Sequence, residues 1–181
     1  MRVGLLRHLR VEQPLPTGWK TAAELHAWRS GYEASPVIQS PIELGPVRWE
    51  TCLSSDLQRA ATTAEIAFGA KVELTPLLRE VDFAEFRTGQ LKLPVWIWGW
   101  VFRLCWITGH RSQRAHRDEF RNRIVAVADL IESRGGDVLV VSHAGIMAFL
   151  SAELRRRNFT GPKFRMAEHA KVYLFERPSG A

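Results

Sequence analysis

The run Asp137–Val141, one aspartate followed by four apolar residues, constrains the fold more than any other stretch of the chain. A strand with one face in water alternates apolar and polar residues, so an unbroken apolar run predicts a strand that is buried on both faces. The run follows Gly135 and Gly136, which end a helical pattern, and a second helix is predicted over Ile146–Arg156. Such a strand needs helices to cover both faces of its sheet.

Two apolar runs lead into a histidine. Val3–Leu6 predicts a short buried strand, and Arg7 and His8 follow it directly. The strand over Asp137–Val141 is followed, one residue later, by His143. Open α/β sheets bind ligands at the carboxyl ends of their strands. We therefore expect both histidines to lie at one ligand-binding edge of the sheet.

Strands and helices alternate along the rest of the chain, which predicts a three-layer α/β/α sandwich. Gly31 is predicted to end or weaken the first helix, and Ser54 and Ser55 are predicted to be N-caps of the second. The further predicted strands are Trp49–Leu53, Val72–Leu74 and Lys171–Glu176, and the further predicted helices are a segment from Trp19 to Gly31, Leu57–Phe68 and Gln113–Ser133, the last with Phe120, Ile124, Val127, Ala128 and Ile131 on one face.

Length and composition predict a single soluble globular domain over residues 1–181. The chain is 46% apolar and 24% charged, which is ordinary for a folded domain and excludes disorder of the whole chain. The net charge of +6 and the pI near 9.9 permit binding to anions. No nucleic-acid-binding module accompanies this charge, so we expect no nucleic-acid partner.

Neither the cysteines nor the N-terminus indicates a metal site or export. Cys52 and Cys105 show no metal-ligand or CxxC spacing and are predicted to be core residues. The chain starts with a strand-like run that contains Arg2 and Arg7 and lacks the apolar stretch of a signal peptide. We therefore expect a cytoplasmic protein without a metal, and the sequence leaves the oligomeric state open.

Four of the seven tryptophans lie in one segment, about residues 91–112. Its apolar run, Leu93–Ile107, is shorter than the about 20 residues of a membrane-spanning helix and contains Pro94 and Arg103, so we expect no integral membrane segment. Tryptophan favours positions with one wet and one apolar side, which fits a cap over a pocket or a helix at a membrane surface. The cap is favoured, because an interfacial helix usually has a cleaner polar face.

Two further polar clusters accompany the histidines, Ser54–Ala60 and Leu78–Phe83. Arg59, in the first of them, lies in the first turns of a predicted helix, whose N-terminus attracts anions. Arg7 carries the same planar guanidinium, which suits two-point contact with phosphate oxygens. The two arginines therefore predict a phosphate-binding site.

The remaining polar residues predict a metal-free phosphoryl transfer. His8 would attack phosphorus through a neutral ring nitrogen, and His143 would donate a hydrogen bond to the phosphoryl oxygens. Glu80 is the candidate general acid for the leaving oxygen. The rival acids are Glu12, Asp82 and Glu85.

In these motifs the chain resembles the histidine phosphatase superfamily, branch 1, the phosphoglycerate-mutase-like group. The resemblance implies a phosphohistidine on His8, Glu80 as proton donor, no metal or other cofactor, and a mixed, mostly parallel sheet. Leu9 replaces the family's glycine after the catalytic histidine and places a bulkier side chain beside the pocket. The matching motifs are Arg7-His8-Leu9 for the Arg-His-Gly signature, Ser55 to Ala60 for Ser-Asp-Leu-x-Arg-Ala, Leu78 to Glu80 for Leu-x-Glu, and Ser142-His143 for the second histidine.

The main functional hypothesis is a phosphatase that acts on a small phosphomonoester. A mutase, which would have to keep its phosphoenzyme away from water, is the nearest alternative. A non-catalytic protein that binds a phosphorylated ligand or a membrane surface through Trp96 to Trp106 is the second. As a cap, the tryptophan-rich segment would form the upper wall of the pocket, which favours an apolar or ring-bearing leaving group.

Overall fold

The structure is a computed structural model that describes residues 1–81, 86 and 88–178. Its strands are β1 (Arg2–Arg7), β2 (Trp19–Lys20), β3 (Thr51–Ser55), β4 (Val72–Thr75), β5 (Leu93–Pro94), β6 (Val138–Ser142) and β7 (Val172–Glu176). Its helices are α1 (Ala22–Ala34), α2 (Gln58–Phe68), α3 (Val95–Thr108), α4 (Arg114–Ser133) and α5 (Ala144–Arg156), and one 3-10 turn spans Pro76–Leu78.

The described strands form one central sheet and one small ribbon. The central sheet has the order β4-β3-β6-β1-β7. Its neighbouring strands are parallel, apart from β1 and β7, which pair in antiparallel fashion. The ribbon consists of β2 and β5. The expectation of a mixed, mostly parallel sheet is confirmed.

Helices cover both faces of the central sheet. On one face, α4 and α5 pack against completely buried side chains that include Leu5 and Val140. On the other face, α2 packs against Leu6 and Leu139, which are also completely buried. Successive side chains of a strand point to opposite faces, so neighbouring residues of β1 and β6 enter different cores. The predicted three-layer α/β/α sandwich is confirmed.

The two strongest patterns of the sequence correspond to the best-buried elements. All five residues of β6 are buried, and this strand lies between β3 and β1 at the centre of the sheet. In α4, the predicted apolar face is the buried face, made of Phe120, Ile124, Val127, Ala128 and Ile131.

The first helix starts later than its apolar spacing predicts. Thr21 caps α1: its Oγ1 accepts a hydrogen bond from the Glu24 N–H at 3.1 Å, and the Glu24 carboxylate accepts one from the Thr21 N–H at 2.7 Å. This capping box fixes the helix start. Trp19, which the spacing assigned to the helix, lies in β2 instead.

Of the two alternatives for Gly31, ending or weakening the helix, the structure excludes the first. Helix α1 continues through Gly31 to Ala34, although glycine weakens a helix. A Cβ on Gly31 would lie 2.8 Å from the Gln13 Oε1 atom, and Gln13 in turn donates to the Trp28 carbonyl at 3.0 Å. The glycine therefore makes room for a side chain that packs on the helix.

The predicted N-caps of α2 are wrong. Ser54 and Ser55 belong to β3, and α2 begins at Gln58 with Leu57 in the N-cap position, where no side chain caps the helix. The hydroxyl of Ser55 instead accepts a hydrogen bond from the Leu57 N–H at 3.3 Å. Both serines are completely buried.

The tryptophan-rich segment forms α3, which packs one face inward. Trp98 and Trp106 are buried, and the Trp98 Nε1–H donates to the Lys20 carbonyl at 2.7 Å. Cys52 is a core residue as predicted, whereas Cys105 on α3 is only half-buried. Among the helices of the described residues, none has the length and apolar content that a bilayer crossing requires.

The carboxyl edge of the sheet collects the polar clusters. Arg7 ends β1 opposite Ser142, which ends the neighbouring strand β6. The His8 N–H then donates to the Ser142 carbonyl at 3.0 Å. The Ser142 hydroxyl donates to the Leu78 carbonyl at 2.7 Å, which ties the segment leading to Glu80 to the same edge.

We predict that Leu139→Ala lowers the free energy of unfolding by about 2–5 kcal/mol, because it removes a completely buried side chain from the central strand and leaves a cavity. Leu74→Ala is the matched control, since Leu74 is 52% exposed on β4, and it should change stability by no more than about 0.5 kcal/mol. Urea unfolding of the three proteins measures both. Equal losses would contradict the described core.

Candidate active site

Two histidines lie side by side at the carboxyl edge of the sheet. His8 follows β1 and His143 follows β6, and their ring centroids are 5.0 Å apart. The two residues are only 3% and 1% exposed. The expectation that the two strands bring them together is met.

His8 has a defined tautomer. Its Nδ1 atom lies 2.6 Å from the Leu9 carbonyl oxygen, and a carbonyl can only accept, so Nδ1 carries the proton. The other ring nitrogen, Nε2, therefore has a free electron pair. The pKa of His8 is lowered from 6.5 to about 3, mainly by burial and in addition by the nearby charges of Arg59 and Arg7, against the effect of the Leu9 hydrogen bond. The His8 ring is thus neutral near pH 7.

His143 is bonded to β3 across the sheet. Its Nε2 atom lies 3.0 Å from the Ser55 Oγ atom. Burial holds the pKa of His143 well below its usual range, and the charges of Arg59 and Arg7 act in the same direction. Its Nδ1 atom is buried without a hydrogen-bond partner among the described residues. The sequence predicted a capping role for Ser55 and missed this contact.

Two arginines lie within electrostatic reach of both histidines. Arg59 is 4% exposed, and its Nε and Nη1 atoms have no partner in the described part of the chain. Its guanidinium lies 5.3 Å from the centre of the Tyr32 ring. Arg7 donates through Nη1 to the Ala167 carbonyl at 2.7 Å, while its Nε is unpaired in the same sense. Burial lowers the pKa of both arginines.

The Glu80 carboxylate lies at the N-terminus of α5, directly after His143. It accepts hydrogen bonds from the N–H groups of Val81 at 2.9 Å, Ile146 at 3.1 Å and Gly145 at 3.2 Å. Its negative charge raises the pKa of Arg7 and Arg59 against the larger effect of burial. A Cβ on Gly145 would lie 2.4 Å from the Glu80 Oε1 atom, so glycine permits this close approach.

The other acid candidates lie elsewhere or outside the described residues. Glu12 is exposed, on the chain after Val11, which bridges to Val37. Asp82 and Glu85 lie outside the described residues. Glu80 is therefore the sequence-predicted acid that the described structure brings to the histidines.

His169 is a site residue that the sequence analysis missed. Its Nδ1 atom donates to the His8 carbonyl at 2.7 Å, and its ring lies edge-on to that of His8 at 5.2 Å between centroids. Burial lowers the pKa of His169. No motif marks this histidine, which reaches the site because the segment before β7 runs back along the end of β1.

Two cavities adjoin Glu80. A cavity of about 320 Å³ is lined by the charged residues Arg29, Arg79, Arg123, Glu33 and Glu119. A mostly apolar cavity of about 560 Å³ lies between α3 and the start of α5. Its lining includes Glu80, Ala144, Gly145, Phe102, Trp106 and Ile107.

The arrangement can hold an anion beside a nucleophile. Buried N–H donors of two arginines and the buried Nδ1 atom of His143 lack partners among the described residues, and such polar groups are costly unless they are paired. A tetrahedral oxyanion offers several acceptors at once. Within the described residues, no group of three or more His, Cys, Asp and Glu side chains is arranged to hold a metal ion.

Comparisons with known proteins agree with this fold. The sequence profile of the histidine phosphatase superfamily (branch 1) matches residues 17–180. The chain is similar to a phosphoglycerate mutase structure from Bacillus anthracis str. Sterne, with 20% identity and a TM-score of 0.60 over 96% of this chain and 86% of that one. It is also similar to an alpha-ribazole phosphatase from Shigella flexneri, with 20% identity and a TM-score of 0.56 over 96% and 89%. Curated protein sequences give no match.

We predict that the His8 ring stays neutral from about pH 8 down to about pH 5, because its pKa lies near 3 and protonation begins only close to that value. The ring carbon–proton NMR signal of His8, identified by its loss in His8→Gln, should not move over this range. A titration with a midpoint near the ordinary 6.5 would contradict the described burial.

Proposed function

Because the chain belongs to the histidine phosphatase superfamily, branch 1, we propose that it is a phosphatase that hydrolyses a small phosphomonoester through a phosphohistidine on His8. One observation carries the proposal. The neutral, buried His8 lies beside Arg7 and Arg59, whose buried N–H groups lack acceptors among the described residues. A phosphate ester supplies the negative charge and the acceptor oxygens that these groups require.

The first step transfers the phosphoryl group to His8. The electron pair of Nε2 forms a bond to phosphorus, while the bond between phosphorus and the ester oxygen breaks and its electrons leave with that oxygen. The Nδ1 proton keeps its hydrogen bond to the Leu9 carbonyl, which stabilises the positive charge that develops on the ring. No metal or other cofactor takes part in this proposal.

Fixed donors stabilise the charge on the non-bridging phosphoryl oxygens. Arg7 and Arg59 supply N–H groups that are already in place, so little reorganisation accompanies the reaction. In this proposal the Ser55 hydroxyl, whose oxygen accepts from the Leu57 N–H, donates its own proton to the His143 Nε2 atom. The Nδ1 atom of His143 then carries the proton and donates to the same oxygens.

Glu80 is proposed to move the protons. It protonates the leaving oxygen in the first step, and the negative charge of a bound phosphate favours its protonated form by like-charge repulsion. In the second step its carboxylate takes a proton from water, and the water oxygen attacks phosphorus as the bond to Nε2 breaks. Inorganic phosphate and neutral His8 are the products. The position of Glu80, bonded to the first turn after His143, supports this role.

The cavity beside Glu80 indicates the kind of leaving group. The space of about 560 Å³ has a largely apolar wall that includes Phe102, Trp106 and Ile107 of α3. Aromatic walls gain most from apolar or ring-bearing partners. We therefore propose a phosphomonoester whose alcohol carries an apolar or ring-bearing group, with α3 as the wall.

We predict that the protein hydrolyses p-nitrophenyl phosphate in the presence of a chelator and that His8→Ala lowers kcat by about 10³-fold or more, because the nucleophile is lost. His26→Ala is the matched control, since His26 is exposed on α1. A phosphohistidine loses its trapped phosphate in acid, whereas a phosphoserine keeps it, so acid treatment of the trapped enzyme distinguishes the two.

Three outcomes of this experiment contradict the proposal. Equal turnover by the parent and His8→Ala would exclude His8 as nucleophile. Phosphoryl transfer to an added alcohol or phosphoglycerate in large excess over release of inorganic phosphate would indicate a mutase. Tight binding of phosphate esters without turnover of any ester would indicate a non-catalytic binding protein.

We predict that Glu80→Gln lowers kcat/KM by about 10²–10⁴-fold for an alkyl phosphate but much less for p-nitrophenyl phosphate, because nitrophenolate leaves without a proton. Glu12→Gln is the control, as Glu12 is an exposed carboxylate of the same chain. Steady-state kinetics with both esters measure the difference. Equal loss with the two leaving groups would show that Glu80 is not the proton donor.

A further inference from the structure

Helix α3 has an exposed apolar face, of which only the end at Ile107 also lines the cavity proposed for the leaving group. Its large side chains are spaced by three or four residues, so they lie along one side of the helix. We call this side the outer face. Its members are Trp96 (69% exposed), Trp100 (65%), Leu104 (63%) and Ile107 (75%).

The opposite face anchors the helix to the domain. Trp98 bonds to the Lys20 carbonyl, and the Trp106 ring packs edge-on against Phe120 of α4 at 5.7 Å between centroids. Trp19 is 66% exposed and extends the outer face at the start of α3, because it pairs across the β2–β5 ribbon with Pro94, the residue before α3. Because the opposite face of α3 already packs on the domain, the outer face is available to an external partner.

The segment that carries the outer face is cationic, although Glu24 of α1 interacts electrostatically with its Lys92. From Phe86 to Arg117 the sequence contains no Asp or Glu, but it contains five arginines and one lysine. Those that are exposed in the structure are Lys92, Arg103, Arg111 and Arg114.

We propose that the outer face of α3 docks onto the surface of membranes that contain anionic lipids. Tryptophan is enriched at the boundary between lipid headgroups and acyl chains, where an apolar ring and a polar N–H are both accommodated. Basic residues around such a face are attracted by anionic headgroups. An α-helix of 14 residues is about 21 Å long, which suits a helix that lies in the interface plane.

A second copy of this chain fits the outer face less well. Two copies related by a two-fold axis would bring the exposed cations Lys92, Arg103, Arg111 and Arg114 of each copy close to those of the other. Like charges across an interface oppose association. The same cations instead complement a negatively charged surface. Of the two partners compared, a second copy of the chain and an anionic bilayer, the charge pattern therefore favours the bilayer.

Docking would turn the apolar cavity towards the bilayer. Arg103 and Ile107 line this cavity and also belong to the exposed side of α3, and Glu80 and Gly145 line its inner end. The docking surface and the candidate active site thus share one cavity. The docking itself does not require that the proposed phosphatase activity exists.

Vesicle co-sedimentation of the full chain tests the proposal. The protein should sediment with vesicles of phosphatidylcholine and phosphatidylglycerol, much less with phosphatidylcholine alone, and less at about 0.5 M salt. Trp96→Ser combined with Trp100→Ser should weaken binding by about tenfold or more, since two interfacial rings are lost. The matched control is Ile66→Ser with Leu74→Ser, which removes exposed apolar residues from α2 and β4 and should leave binding unchanged.

A second pair of variants tests the charge. Arg111→Gln with Arg114→Gln should weaken binding to anionic vesicles by about tenfold or more. The control, Arg48→Gln with Lys71→Gln, removes exposed cations that precede β3 and β4, at the sheet edge opposite to His8, and should bind as the parent does.

The outcomes separate docking from catalysis when p-nitrophenyl phosphate hydrolysis is measured in parallel. No sedimentation of an active enzyme would overturn the docking and leave the proposed function intact, whereas sedimentation of an inactive protein would do the reverse. Binding that persists in the double tryptophan variant would overturn the assignment of the outer face. So would a parent dimer that ignores vesicles and dissociates in that variant, because a second copy would then occupy the face.

Discussion

The parallel pairing of β1 with β6 is the interaction on which the candidate site depends. Arg7 lies opposite Ser142 in this pairing, and the His8 N–H bonds to the Ser142 carbonyl, so His8 and His143 leave the sheet at the same level. A slip of one residue would turn every side chain of one strand to the other face. Because both strands are buried on two faces, their apolar residues resist such a slip. The packing of the core thereby sets the distance between two histidine rings.

The rest of the fold keeps unfavourable groups in place at this edge. Arg59 is buried and its guanidinium meets an aromatic ring, without a carboxylate bonded to it among the described residues. An isolated domain gains nothing from such a group, since a buried unpaired donor costs free energy. The neutral state of His8 has the same origin, because burial and neighbouring cations disfavour imidazolium. The rule that buried polar groups are paired is violated at the candidate site, whereas the two cores consist of buried apolar side chains. A violation confined to one place is typical of sites that bind a ligand.

The sequence predicted those features that depend on local pattern. The unbroken run of β6 and the helical spacing of α4 identify their buried residues, and the motif order places Arg7, His8, Arg59, Glu80 and His143 at one edge. Prediction from the sequence failed where a contact joins segments that are distant along the chain. The role of Ser55 depends on which strand lies beside β3, and the approach of His169 depends on the antiparallel return of β7. The continuation of α1 through Gly31 likewise depends on the packing of Gln13 against the helix. Helix propensity is a property of single residues and does not include this contact.

The strand order has a consequence for biosynthesis. β1 leaves the ribosome well before its neighbours, because Val3 pairs with Val138 on one side and with Phe175 on the other. An apolar strand without neighbours is open to non-native pairing, and contacts so far apart in sequence form slowly. The nascent chain must therefore carry β1 unpaired until β6 emerges. The two histidines can meet only when β6 has emerged, so the candidate site is among the last parts of this fold to form.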